Sequence, residues 1–325
     1  MAQSNARLDL EAGRYDQSVY SGRAGHFFAT VNPLNVLASD AQLDAAKKLV
    51  VDYRARQEAP GTTDDEVWAA KELYDSAFHC QTGEKLFLPG RMSFQVPGNM
   101  VITGCMMTFY RSVPAVVFWQ AANQGFNALA NYTNRNASAE MSSTQLAVAG
   151  SAATAAGVST ALIFNKIIAA NPALSAGMTG RFVPLVAVAI ANGVNIPMMR
   201  NKEISDGIHI STADGTQVGS STAAAVSAIS MVIPSRVAMA IPVMAIPPLI
   251  MSKLERSAAF IKNPWLKAPA TVLLTGACLT FSTPLCCAFF PQNACIKAAE
   301  LEPALRAKLA VSHPKETTFY FNKGL

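Results

Sequence analysis

The sequence predicts an all-α, multispan helical membrane protein, with about five transmembrane helices behind a small helical N-terminal head. Three observations carry that reading. Only 14% of the 325 residues are charged, against about 25% in an average soluble domain. The 47 charged residues are also unevenly placed: 23 lie in residues 1–97, 8 in residues 297–325, and only 16 in the 199 residues between. Within that sparse centre are five apolar stretches of spanning length, where a bilayer core needs about 20 helical residues. Burying five such stretches inside a soluble domain of this size would need an implausibly large core. The chain is therefore divided into a soluble head (residues 1–97), a transmembrane domain (98–296) and a soluble tail (297–325).

The spans follow in chain order. Gly98 to Trp119 is the first and contains one arginine. Thr144 to Ala170 is free of charge until Lys166, and its Ala, Gly, Ser and Thr content suits close helix packing in lipid. Phe182 to Met199 is uncharged between Arg181 and Arg200, Ala223 to Ile250 carries one arginine, and Ala268 to Ile296 carries no charge at all. With five crossings, Lys166, Arg181, Lys253, Arg256, Lys262 and Lys267 fall on the side of the N-terminus, against Arg135, Arg200 and Lys202 on the other. Basic loops stay on the cytoplasm-equivalent side. The N-terminus is therefore expected there and the C-terminus opposite. Residues 1–16 have no apolar run of the secretory-signal kind, and Asp9 and Glu11 interrupt the basic residues a transit peptide would need.

Two helix starts are visible in the head. Ser39 with Gln42 and Thr63 with Glu66 have capping-box spacing, in which each side chain satisfies the other residue's free backbone donor. Leu43, Ala46, Val50 and Tyr53 then recur at helical spacing, as do Val67, Ala70, Tyr74 and Ala77, with Pro60-Gly61 between the two helices. Two short helices make a poor core alone, so the head is expected to pack on something else.

Several chemistries are excluded. A net charge of +5 without a lysine-rich block gives no nucleic-acid partner. No phosphate loop, dinucleotide glycine pattern, nucleophile elbow or zinc pairing is present, and the four histidines are scattered, so no enzyme, cofactor or metal is expected. The cysteines read as small apolar filler.

What remains is a set of polar residues inside the apolar centre. Gln120, Asn123, Gln124, Asn127, Asn131 and Asn134 follow helical steps of three and four and make one amide stripe. Donors and acceptors without charge suit a small polar or zwitterionic ligand, although the same stripe could lie at the headgroup level or glue helices together. Arg111 and Arg236 sit in spans that hold no acid, and a central arginine costs about 2.5–3.5 kcal/mol to insert. Each is near a proline, Pro114 and Pro234, where a broken helix would free backbone carbonyls. One or both could hold a ligand carboxylate in the two-pronged guanidinium geometry, or snorkel, or pair with a carboxylate from the head. Asn192 and Asn195 are weaker members of the set. His79 with Glu84 could be a proton-handling or gating pair, or simply stabilise the turn at Thr82-Gly83.

With these segments in view the chain closely resembles the sideroflexins, a family of mitochondrial inner-membrane proteins. The matching stretches are YDSAFHCQTGEK (Tyr74 to Lys85), GRMSFQVPGNMVITGCMMTFYRSVPAVVFWQ (Gly90 to Gln120), NQGFNALANYTNRNA (Asn123 to Ala137), GRFVPLVAVAIANGVNIPMMR (Gly180 to Arg200), TPLCCAFFPQ (Thr283 to Gln292) and YFNKGL (Tyr320 to Leu325). One departure is visible, since the family usually reads HPDTGEK where this chain has His79-Cys80-Gln81-Thr82-Gly83-Glu84-Lys85. The resemblance implies a multi-pass protein of the mitochondrial inner membrane without a cleaved presequence. It also implies transport of serine for one-carbon metabolism, with alanine, glycine or cysteine as related substrates and membrane lipid as surroundings. On the orientation above, the N-terminus would face the matrix and the C-terminus the intermembrane space. One cation plus an amide stripe matches a small neutral amino acid better than a tricarboxylate. The alternative is a non-transporting scaffold or assembly factor affecting respiratory complexes or iron homeostasis, in which the arginines are structural.

Overall fold

The computed structural model describes residues 7–10, 13–79, 82–110, 112–134, 142–171 and 182–324. Its helices are α1 (Tyr20–Thr30), α2 (Asp40–Ala55), α3 (Asp64–Ala77), α4 (Gln95–Phe109), α5 (Val113–Thr133), α6 (Ser143–Ala170), α7 (Val183–Met199), α8 (Asn201–Asp206), α9 (Thr222–Leu254), α10 (Ala258–Lys262), α11 (Lys267–Cys287) and α12 (Pro303–Ser312). The protein is predominantly helical, as the sequence predicts.

Both capping boxes form in the head. Ser39 N–H donates to Gln42 Oε1 at 2.8 Å while Gln42 N–H donates to Ser39 Oγ at 3.3 Å, and Thr63 and Glu66 repeat the exchange at the start of α3. All eight apolar residues picked out by spacing are buried, and together with Leu10 and Phe78 they make one core between α2 and α3. The head does pack on something else. Along α1, Tyr20 Oη donates to the Leu285 carbonyl and Phe28 stacks edge-on against Phe281, so this helix lies on the last part of α11.

Six helices, α4, α5, α6, α7, α9 and α11, build the apolar bundle, and they run alternately up and down. In α4 and α11, Gly104 meets Val272 and Gly276 meets Met100. Along α6 and α7, Val183 packs near Ile168, and Ala191 lies beside Gly157. Among the described residues, three segments are long and apolar enough to cross a membrane by length and composition: Ala147–Ala170, Thr222–Leu254 and Pro264–Cys287; α7 is a shorter apolar helix.

The stretch from Gly98 to Trp119, expected as one span, is instead the hinge of a helical hairpin. The α4 helix ends at Phe109, Ser112 Oγ accepts from Ala115 N–H at 3.4 Å, and Pro114 falls in the first turn of α5. A proline there has no amide hydrogen bond to lose, so it starts a helix rather than kinking one. The two helices are antiparallel: Phe94 meets Phe126, and Tyr110 Oη accepts from Gln120 Nε2 at 2.8 Å. At the far end, Asn134 Nδ2 donates to the Gly90 carbonyl at 3.0 Å. The amide stripe therefore runs inside the bundle rather than along its surface.

This extra reversal has a consequence for the two ends of the chain. They were expected on opposite sides, and they meet at one end of the bundle. Arg23 Nε in α1 donates to the Ala288 carbonyl just past α11 at 2.9 Å, and Arg200 at the end of α7 donates to the Lys323 carbonyl of the tail. The longest uncharged run also stops being helical at Cys287; its last residues enter a strand.

That strand belongs to a small antiparallel sheet not anticipated by an all-helical reading. Strands β1 (Ile208–Ser211), β2 (Gln217–Ser221), β3 (Asn293–Lys297) and β4 (Thr318–Asn322) pair in the order β2-β1-β4-β3. Ile210, Ile296, Phe319 and Phe321 pack with Leu301, Leu309 and the first turns of α9. Residues 208–221 thus join the tail. Glu302 closes the joint by accepting hydrogen bonds from Ser221 Oγ, Thr222 Oγ1 and Ala223 N–H at the N-terminus of α9.

Candidate functional site

Between α4, α5, α7, α9 and α11 the bundle forms a partly open cavity with about 80 Å³ accessible to water-sized molecules. That is room for a handful of waters or one ligand of few heavy atoms. Its polar wall is Gln95, Asn99 and Thr103 from α4, Asn123, Asn127 and Asn131 from α5, Asn192 and Asn195 from α7, and Arg236 from α9. Val188, Val243, Met244 and Leu279 are among its apolar lining. Six of the residues singled out in the sequence are therefore brought together: Asn123, Asn127, Asn131, Asn192, Asn195 and Arg236.

The seventh, Arg111, lies outside the described residues. His79 and Glu84 are not part of the cavity. His79 N–H donates to the Glu84 carbonyl at 2.9 Å, in a tight turn where Thr82 N–H also donates to His79 Nδ1. The structure places them in a turn of the head, with Glu84 exposed.

The amide stripe has two jobs. Gln120, Gln124 and Asn134 tie helices: Gln120 bonds Tyr110 and lies against Gly157 of α6, Gln124 Oε1 accepts from Asn195 Nδ2 at 3.2 Å, and Asn134 secures the start of the hairpin. The other three face the cavity. A side chain at Gly157 would come within 2.9 Å of Gln120 Oε1, so the small residue lets α6 approach α5.

Several cavity-lining atoms are unsatisfied. Gln95 Nε2, Asn123 Nδ2 and Asn195 Oδ1 are buried without a hydrogen-bond partner among the described residues. Asn195 is 1% exposed and Asn123 4%. A buried polar group left unpaired costs about 1–3 kcal/mol, so a wall carrying three is suited to a polar guest. Two of these atoms donate and one accepts. Among the described residues Arg236 is the sole charged one in the lining. It stands in a continuous helix, since α9 runs unbroken from Thr222 to Leu254 through Pro234, Pro242, Pro247 and Pro248.

Gln95, Asn99 and Thr103 were not picked out from the sequence. Gln95 lies just ahead of the expected span, and Asn99 and Thr103 form a polar step of four inside it that was hidden by reading Gly98 to Trp119 as one helix. Among the described residues no group of three His, Cys, Asp or Glu is placed to hold a metal ion.

Comparison with known proteins gives a consistent result. A family model described as sideroflexins matches residues 9–325. The chain is 50% identical to human sideroflexin-1 over 319 residues and 50% identical to human sideroflexin-3 over 318 residues. Each of those alignments covers 98% of this chain and 98% of the relative. Mouse sideroflexin-3 is 49% identical over 318 residues, with the same coverage. No solved structure matches.

Proposed function

The chain belongs to the sideroflexin family, and from that premise and the cavity's chemistry we propose that it carries serine and similar small neutral amino acids across the mitochondrial inner membrane. The observation that carries this reading is the pairing of one cation, Arg236, with uncharged amides around a space for few heavy atoms. A zwitterion offers a carboxylate to Arg236 and to the amide N–H groups of Gln95 and Asn123, and an ammonium to Asn195 Oδ1. A tricarboxylate would bring up to three negative charges and more bulk to a cavity with one lining cation. Alternating access would then proceed around α4, α5, α7 and α9, the helices that supply the polar wall.

Orientation is part of the proposal. With α4 and α5 as a hairpin, Lys166, Lys253, Arg256, Lys262 and Lys267 belong to the end of the bundle away from the head and tail. Basic loops favour the cytoplasm-equivalent side. We therefore place that end in the matrix, with the head and tail together in the intermembrane space.

The test is uptake of labelled serine by liposomes containing the purified protein, with unlabelled competitors. Alanine, glycine and cysteine are expected to compete and citrate is not. Competition by citrate with none by the amino acids would overturn the reading. Absence of any uptake would favour the scaffold alternative.

A further inference from the structure

Between α9 and α11 the chain turns at the end of the bundle away from the head and tail. The turn consists of α10 (Ala258–Lys262) and a 3₁₀ turn over Pro264–Leu266, and neither contains a buried residue. Residues 256–265 are all exposed except Phe260, which is half-buried. The backbone is nonetheless ordered by its own hydrogen bonds. Ser257 N–H donates to the Leu254 carbonyl at 2.9 Å, Ile261 N–H to the Ser257 carbonyl at 3.0 Å, and Leu266 N–H to the Asn263 carbonyl at 3.1 Å. This elbow displays two large apolar side chains, Ile261 at 66% exposure and Trp265 at 71%.

Its charge is one-sided. Lys253, Arg256, Lys262 and Lys267 fall within residues 253–267, where Glu255 is the one acid. None of the four cations forms an ion pair among the described residues. The elbow's depth follows from the helix it feeds. With 21 residues α11 is about 31 Å long, which matches a bilayer core of about 30 Å, and it begins at Lys267. A helix that only just spans the core brings the residues before it to the level of the headgroups. Tryptophan favours that level, and lysine and arginine reach phosphates from it along their apolar stems.

We infer that the elbow is a binding surface for anionic phospholipid: Ile261 and Trp265 insert below the headgroups, while Lys253, Arg256, Lys262 and Lys267 hold the lipid phosphates. Basic clusters of this size beside a span select anionic lipid over zwitterionic lipid. A membrane fits the surface better than a protein partner does, because both helices flanking the elbow enter the bilayer next to it. The inference depends on α9 and α11 crossing the membrane and is independent of the ligand assigned to the cavity. Arg236 of α9 and Leu279 of α11 both line that cavity, so bound lipid tethers the ends of two helices that shape it.

The experiment uses the full-length protein in phosphatidylcholine nanodiscs containing a minor share of phosphatidylglycerol, with acyl-chain bromine on one lipid or the other as a fluorescence quencher. The difference between wild type and Trp265→Phe isolates the emission of Trp265. Brominated phosphatidylglycerol is expected to quench it at least about twofold more than brominated phosphatidylcholine at the same mole fraction, and salt is expected to narrow that gap. Replacing all four cations by glutamine should make the two lipids equal while quenching by phosphatidylcholine persists, because the apolar side chains still insert. Equal quenching by the two lipids in wild type would overturn the inference. So would selectivity that survives in the four-glutamine variant. Absence of quenching by either lipid would place Trp265 in water or under a protein partner and overturn it as well. If the four-glutamine variant does not fold, the wild-type comparison and its salt dependence decide.

Discussion

Asn195 of α7 donates to Gln124 Oε1 of α5 across 3.2 Å, while its own Oδ1 is buried without a donor among the described residues. One side chain thus ties two helices and offers an acceptor at the cavity wall. Replacing Asn195 by leucine removes both contributions. Cross-helix hydrogen bonds in lipid contribute about 0.6 kcal/mol on average, so the loss of melting temperature in detergent should be small. The KM for serine should rise by about fivefold or more, because the ligand ammonium loses an acceptor. Gln124→Leu removes only the tie and should move KM by no more than about twofold. Equal effects of the two variants on KM would contradict this division.

The α4–α11 contact depends on Gly104 more than on Gly276. A β-carbon at Gly104 would lie 2.7 Å from the Val272 Cα, a backbone atom, whereas at Gly276 it would meet the flexible end of Met100 at the same distance. Backbone cannot step aside and a methionine can. Gly104→Ala is therefore expected to cost about 1–3 kcal/mol and Gly276→Ala less, measured as melting temperature in detergent.

Glu302 makes the joint between sheet and bundle sensitive to acid. Burial opposes its charge, but hydrogen bonds from Thr222, Ala223 and Ser221 outweigh that and hold its pKa at about 2, below the ordinary 4.5. A carboxylate with a lowered folded-state pKa contributes in full above the unfolded value and loses that contribution as pH falls through the folded one. Glu302→Gln should cost about 1–2 kcal/mol at neutral pH. The gap between variant and wild type should hold from pH 7 to about 5 and narrow below about 4.5. Melting curves across that range check it.

Much of this architecture was legible in the sequence, and what was hidden has physical causes. The capping boxes and the two buried faces of the head could be read because short-range hydrogen bonding and periodicity decide them. Asn123, Asn127 and Asn131 stood out because amides in an apolar setting are conspicuous. The hairpin at Ser112 was hidden because hydropathy does not distinguish one helix from two joined by a three-residue turn. The sheet escaped notice because β1 pairs with β4 across more than a hundred residues, as in Ile210 with Phe321. The burial of Lys323 was hidden because its backbone is held by Arg200 and Gln292, distant in sequence.

Because head and tail meet at one end of the bundle through Arg23 and Ala288, epitope tags at the two chain ends should behave alike. In mitochondria with a ruptured outer membrane, protease should remove both tags together. Removal of one with full protection of the other would contradict the six-helix arrangement.

The central claim is that Arg236 holds the carboxylate of a small amino acid inside the bundle. The most direct measurement is the initial rate of serine uptake by liposomes carrying wild-type protein or Arg236→Gln at matched protein density. Wild type is expected to take up serine clearly and Arg236→Gln to lose at least about tenfold in Vmax/KM, since one charged partner of the carboxylate is gone. Equal uptake by the two proteins would contradict it.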